Sequence, residues 1–76
     1  MLFRVVNAHL GYKTKWYEKI ENAIEEMIEF IDGFEDYHED YYYNEDGETF
    51  EEFWTNDILN GANFLYVEKF EKGVDK

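Results

Sequence analysis

Glu21, Glu25 and Glu29 recur at every fourth residue, with Glu18 and Asp32 in step with them. On a helix that spacing puts carboxylates on one face, each about 6 Å further along the axis than the last. Such a row cannot act as nucleophile or base without a cleft to drive its pKa values apart. What it can do is present a periodic negative field. Successive phosphates on one strand of duplex DNA rise about 3.4 Å along the axis. A carboxylate row therefore approximates the charge density of a nucleic-acid backbone, and arginines that grip phosphate can take carboxylates bidentately. Glu35, Asp36, Glu39 and Asp40 extend the row, and Tyr41 and Tyr42 supply rigid aromatic contact area beside it, as does Tyr37.

Other chemistries fit less well. Asn44-Glu45-Asp46-Gly47 looks like part of an EF-hand loop, which needs oxygen ligands at positions 1, 3, 5 and 12 around a glycine at 6. With Gly47 at position 6, Tyr42 and Phe53 take positions 1 and 12, and the first and last ligands are missing. His38 among Asp36, Glu39 and Asp40 does not define a transition-metal geometry, and His9 lies far away in sequence. No phosphate-binding glycine loop, nucleophile elbow or triad pattern occurs. The expectation is a non-enzymatic protein with no cofactor and no metal.

The charge distribution sharpens this. The chain of 76 residues carries 19 acids against 7 Lys or Arg, a net charge of −12. Residues 1–17 hold three basic groups and no acid, whereas residues 18–57 hold sixteen acids against Lys19 alone. A block of this sign repels nucleic acid and anionic membranes and attracts basic surfaces. With no cysteine there is no disulfide scaffold and no thiolate zinc site. No apolar run approaches the ~20 residues of a membrane span, and the N-terminus lacks the plan of a signal peptide. The expected location is the cytoplasm. At 45% apolar residues, with ordered periodicity, the chain is not compositionally disordered.

The elements that must position the acids follow from periodicity. Residues 2–6 read as a strand. Tyr12, Thr14 and Trp16 alternate with Lys13 and Lys15, so residues 2–16 predict an antiparallel hairpin with those three on one face. Residues 18–33 predict an amphipathic helix, with Ile20, Ile24, Met27, Ile28 and Ile31 inward and Gly33 as C-cap. On that helix Glu18, Glu21, Glu25, Glu29 and Asp32 fill one sector of roughly 80° beside the apolar one. Residues 35–48 read as an acid–tyrosine stretch containing a short strand over 41–43 and a turn at 44–47. Thr49 and Glu52 fit a capping box, starting a second helix that runs to Asn60 with Phe50, Phe53, Trp54 and Ile58 inward and Gly61 ending it. Leu59 does not fit that inward face. Residues 63–71 predict a last strand. The reading is one small α+β domain spanning 1–76: N-terminal β-hairpin, acidic amphipathic helix, short second helix, C-terminal strand and an antiparallel sheet. Sixteen aromatic residues can close a core in so short a chain.

In composition and size the chain resembles phage or mobile-element proteins that mimic DNA to disable restriction, CRISPR or repair enzymes. The resemblance covers no alignable motif. It implies a stoichiometric inhibitor of anti-CRISPR or anti-restriction type, occupying the basic surface of a nucleic-acid-binding protein or nuclease. An immunity-type or adaptor protein, binding one basic partner by shape, is the alternative. A third reading is a structural domain whose strand over residues 63–70 pairs with another copy, so monomer and homodimer both stay open.

Overall fold

The computed structural model describes residues 1–40, 42 and 47–71, with the backbone alone at Asp40. Strand β1 (Leu2–Asn7) is β-branched and aromatic and lies at the centre of a three-stranded antiparallel sheet of order β2-β1-β3. It pairs with β3 (Leu65–Phe70) over its whole length, from Leu2 opposite Phe70 to Asn7 opposite Leu65. The other neighbour, β2 (Tyr12–Lys13), is short, with Val6 opposite Lys13 and Asn7 opposite Tyr12.

The expected hairpin is present, with a change of register inside it. The Thr14 N–H still donates to the Val5 carbonyl at 3.0 Å, and the Thr14 hydroxyl accepts the Val5 N–H at 2.9 Å. Continued evenly, that register would set Phe3 opposite Trp16; Phe3 instead bridges Tyr17, through hydrogen bonds of 2.7 and 2.8 Å. One extra residue is taken up between them, as in a β-bulge. The alternation holds for Tyr12 and Thr14 and fails at Trp16, which is exposed while Tyr17 turns inward. A period-2 pattern cannot reveal an insertion that resets its own phase.

Helix α1 (Ile20–Asp32) is shorter than expected by two residues at the start and one at the end. Lys19 provides no side-chain cap, and Gly33 ends the helix in an ordinary right-handed conformation at φ −79°, so glycine is not required there. Ala23, Ile24, Met27 and Ile31 are buried, with Ile20, Ile28 and Phe30 packed beside them. Helix α2 (Glu35–Asp40) occupies the start of the acid–tyrosine stretch, where the sequence predicted no helix. Its cause is tertiary: Tyr37 is 2% exposed, packed edge-on against Trp54 at 5.4 Å. Burying one tyrosine of an acidic stretch leaves its neighbours in solvent, which a single helical turn accomplishes. The expected 41–43 strand and 44–47 turn fall largely outside the described residues.

Helix α3 (Phe50–Asn60) has the capping box that Thr49 and Glu52 foretell. The Thr49 hydroxyl accepts the Glu52 N–H at 3.1 Å and the Glu52 carboxylate accepts the Thr49 N–H at 2.9 Å. Those two bonds satisfy amides that the first helical turn leaves open. The Thr49 N–H, followed by its hydroxyl, holds the Glu52 carboxyl below its ordinary value. Trp54 and Ile58 are buried, Phe50 and Phe53 half buried, and Leu59 exposed, as the pattern predicts. Gly61 ends the helix at φ 68°, a conformation glycine adopts without penalty. Asn63 and Phe64 are also left-handed, at φ 51° and 59°, so β3 starts two residues later than expected.

Strand alternation separates the two faces of the sheet. Val5, Leu65 and Val67 pack against α1, Tyr37, Trp54 and Ile58 in one core. Arg4, Tyr66, Glu68 and Phe70 point to the opposite face. There Arg4 Nε meets Glu68 Oε1 at 2.6 Å, and the Arg4 guanidinium lies 4.3 Å from the centre of the Trp16 ring. The fold is thus a small α+β domain, in which the three helices and the sheet of the described residues share that core.

Candidate acidic docking surface

Glu21, Glu25 and Glu29 sit on the solvent side of α1 because Ile24, Met27 and Ile31 anchor its other side to the sheet. Helix α3 runs beside α1, and between them lies a groove of about 410 Å³. Glu21, Glu25 and Glu29 line it with Ile24 and Ile28, and α3 contributes Glu51 and Thr55. The groove is therefore acidic at its walls and aliphatic between them. A second depression, of about 280 Å³, shares Glu51 and Thr55 and adds Glu48, Thr49, Glu52 and Asn56.

Cations are scarce here. Among the described residues, the ion pairs are Arg4 with Glu68 on the far face of the sheet, and His38 with Asp32 at 3.4 Å. Among the described residues, Glu21, Glu25, Glu29 and Glu51 have no lysine or arginine within ion-pair distance. No described cation offsets their mutual repulsion, and the exposed field they make reaches outward over about a Debye length.

Of the residues singled out from sequence, the structure gathers Glu21, Glu25 and Glu29 into this groove. Glu18, before α1, is exposed and does not line it. Asp32 is exposed and turned to His38, while Glu35, Asp36 and Glu39 are exposed on α2. The Asp40 side chain and Tyr41 lie outside the described residues. Tyr42 is half buried: its hydroxyl donates to the Glu48 carbonyl at 3.0 Å and its ring meets Phe50 and Phe53 edge-on. Tyr37 is a core residue, not a contact residue, because its ring is enclosed and its hydroxyl accepts from the Asn7 amide at 2.8 Å.

Two acidic features escaped the sequence. Glu48, Glu51 and Glu52 join the surface from the start of α3; their signal was present in the acids around the capping box, which reads as helix initiation alone. Glu26 is the other. It accepts the Tyr12 hydroxyl at 2.6 Å, the Tyr17 hydroxyl at 2.7 Å and the Lys15 N–H at 3.2 Å. Burial pushes the Glu26 carboxyl up, but those three donors outweigh it and hold it below its ordinary value. In return, the bond to Glu26, then burial, pushes the Tyr12 hydroxyl up to about 12, and Tyr17 is raised by the same causes. Glu26 is thus a brace between α1 and the bulged hairpin, separate from the outward acids.

Among the described residues there is no group of three or more His, Asp or Glu that could hold a metal ion. No helix among them is long and apolar enough to cross a membrane. Comparison with protein families, with characterised proteins and with solved structures finds no match for this chain.

Proposed function

We propose that the chain binds and blocks a basic surface of another protein, in the manner of a nucleic-acid mimic, through the acidic layer of α1 and α3. The observation that carries this reading is the confrontation of Glu21, Glu25 and Glu29 with Glu51 across one groove, with no ion pair to any of them among the described residues. Carboxylates placed without regard to a partner are more cheaply interspersed with lysines, as on most solvated helix faces. The partner in this reading is a nucleic-acid-binding protein or nuclease, whose phosphate-gripping arginines take the carboxylates instead. Action is by occupancy rather than by catalysis.

The test is competition. The wild-type chain and a Glu21→Gln, Glu25→Gln, Glu29→Gln variant are titrated against purified basic DNA- and RNA-binding proteins, nucleases included, holding labelled duplex or single strands. Displacement of nucleic acid by the wild type, falling steeply as salt rises and lost in the triple variant, is expected. No displacement at low salt sinks the reading.

The aliphatic strip inside the groove favours a second reading, an adaptor or immunity-type protein that recognises one basic partner by shape. It predicts a shallow salt dependence and a modest effect of the triple variant.

A further inference from the structure

A phosphate-like array needs only carboxylates on a convex face. The groove between α1 and α3 offers something more specific: Ile24 and Ile28 lie between the acids of its two walls. Ile28 is only half buried in the free protein, so part of an isoleucine stays in contact with water. A simple cation or a lone guanidinium would neutralise the walls and leave that apolar strip wet. An apolar side chain flanked by cations satisfies both.

Spacing narrows the occupant further. Glu21, Glu25 and Glu29 follow one another at about 6 Å per step, because they sit four residues apart on α1. A helix laid alongside α1 carries its own residues i, i+4 and i+8 at the same rise. Lysines or arginines at those positions come into step with the three glutamates, while the adjoining face of that helix turns into the groove. The row from Glu21 to Glu29 spans about 12 Å, so roughly two to three helical turns suffice. Glu51, on the α3 wall, meets a basic residue on the other flank. Thr55 is the small residue beside Glu51 on that wall.

We propose that this groove seats a cationic amphipathic helix of the partner protein, with Leu- or Ile-type side chains on Ile24 and Ile28 and basic side chains on Glu21, Glu25, Glu29 and Glu51. The inference rests on the preceding reading of the helical layer as a surface for a cationic partner, and it names the recognised feature as a helix. Charge steers the encounter and sets register; contact with the strip discriminates among basic partners.

The experiment uses the full chain and two labelled Leu/Lys peptides of about 14 residues. One places Leu in a single helical stripe with Lys at i, i+4 and i+8; the other is a scramble of the same composition. Affinities are read by fluorescence anisotropy at about 50 and about 300 mM salt. The striped peptide is expected to bind at least about tenfold more tightly than the scramble, and to keep that ratio better at the higher salt. Thr55→Lys, which fills the groove and offsets part of its negative charge, removes the preference; Thr55→Ala preserves it. Methyl chemical shifts of Ile24 and Ile28 in the wild type give an independent readout, and are expected to move with the striped peptide only. Equal affinity for both peptides, a preference that survives Thr55→Lys, or unmoved methyls overturns the groove while leaving the acidic surface in place. Failure of both peptides to bind at low salt overturns the two together.

Discussion

The Asn7 side-chain amide donates to the Tyr37 hydroxyl at 2.8 Å, joining the last residue of β1 to a buried residue of α2. Asn7 is fully buried, and its carbonyl oxygen accepts the Leu10 N–H at 3.0 Å, so this side chain also shapes the turn after β1. Through Tyr37 the acidic α2 is fastened to the sheet. Tyr37→Phe keeps the ring and leaves a buried amide short of an acceptor, so it is expected to destabilise the fold by about 1–3 kcal/mol. Urea denaturation checks this; a change within error would mean the amide finds another partner.

Glu26 gives stability a dependence at both ends of the pH scale. A lowered carboxyl contributes stability above its ordinary value of 4.5, lost as pH falls through the lower folded value. A raised phenol contributes below its ordinary value of 10.0, lost as pH rises toward about 12 in the case of Tyr12. In Glu26→Gln both dependences should flatten, and Tyr12 should ionise nearer 10 in an ultraviolet titration. An unchanged tyrosine titration would contradict the brace.

The acids that make the surface oppose the helix that holds them. Glu21, Glu25 and Glu29 form two like-charge pairs four residues apart, each costing about 0.2–0.5 kcal/mol at low salt. The triple glutamine variant should therefore unfold at the same or a slightly higher temperature than the wild type. If it melts earlier instead, these side chains support the fold and their effect on binding is indirect.

The two helix-ending glycines should respond differently. Gly61→Ala puts a side chain at φ 68°, with the nearest atom, the Leu65 carbonyl oxygen, at a comfortable 4.0 Å. The cost is backbone strain alone, about 1–2 kcal/mol. Gly33→Ala meets the Phe30 carbonyl oxygen at 3.4 Å in a right-handed conformation and is expected to be nearly neutral. Thermal melts of the pair give the comparison, and equal losses would refute it.

Near pH 4.3, the sequence pI, the chain loses its net charge and with it the repulsion between copies. Exposed Trp16, Tyr66 and Phe70 should then drive self-association, seen by light scattering as pH is lowered. A chain that stays monomeric at that pH would contradict this.

What the sequence disclosed were features set by local or periodic rules. The inward stripe of α1, the capping box at Thr49 and Glu52, and the Gly61 terminus all follow from spacing within a few residues. The α+β class followed from them. The features that depended on distant partners were hidden. The reversal at Trp16 and Tyr17 depends on how Phe3 is paired, and α2 depends on Trp54 receiving Tyr37. The acid row was legible because helical periodicity alone creates it; the groove was not, because Glu51 enters only when α3 packs beside α1.

Pairing Leu2 with Phe70 has a kinetic consequence. In chain order the central strand β1 precedes the other described elements, and its long neighbour β3 follows them. Bringing them together closes a loop of nearly the whole domain before most of the sheet's hydrogen bonds exist, and such closure slows folding relative to local contacts. Until β3 docks, β1 has, among the described residues, only the two-residue β2 and the Phe3–Tyr17 bridge beside it, so most of its hydrogen bonding waits on the longest-range contact in the fold.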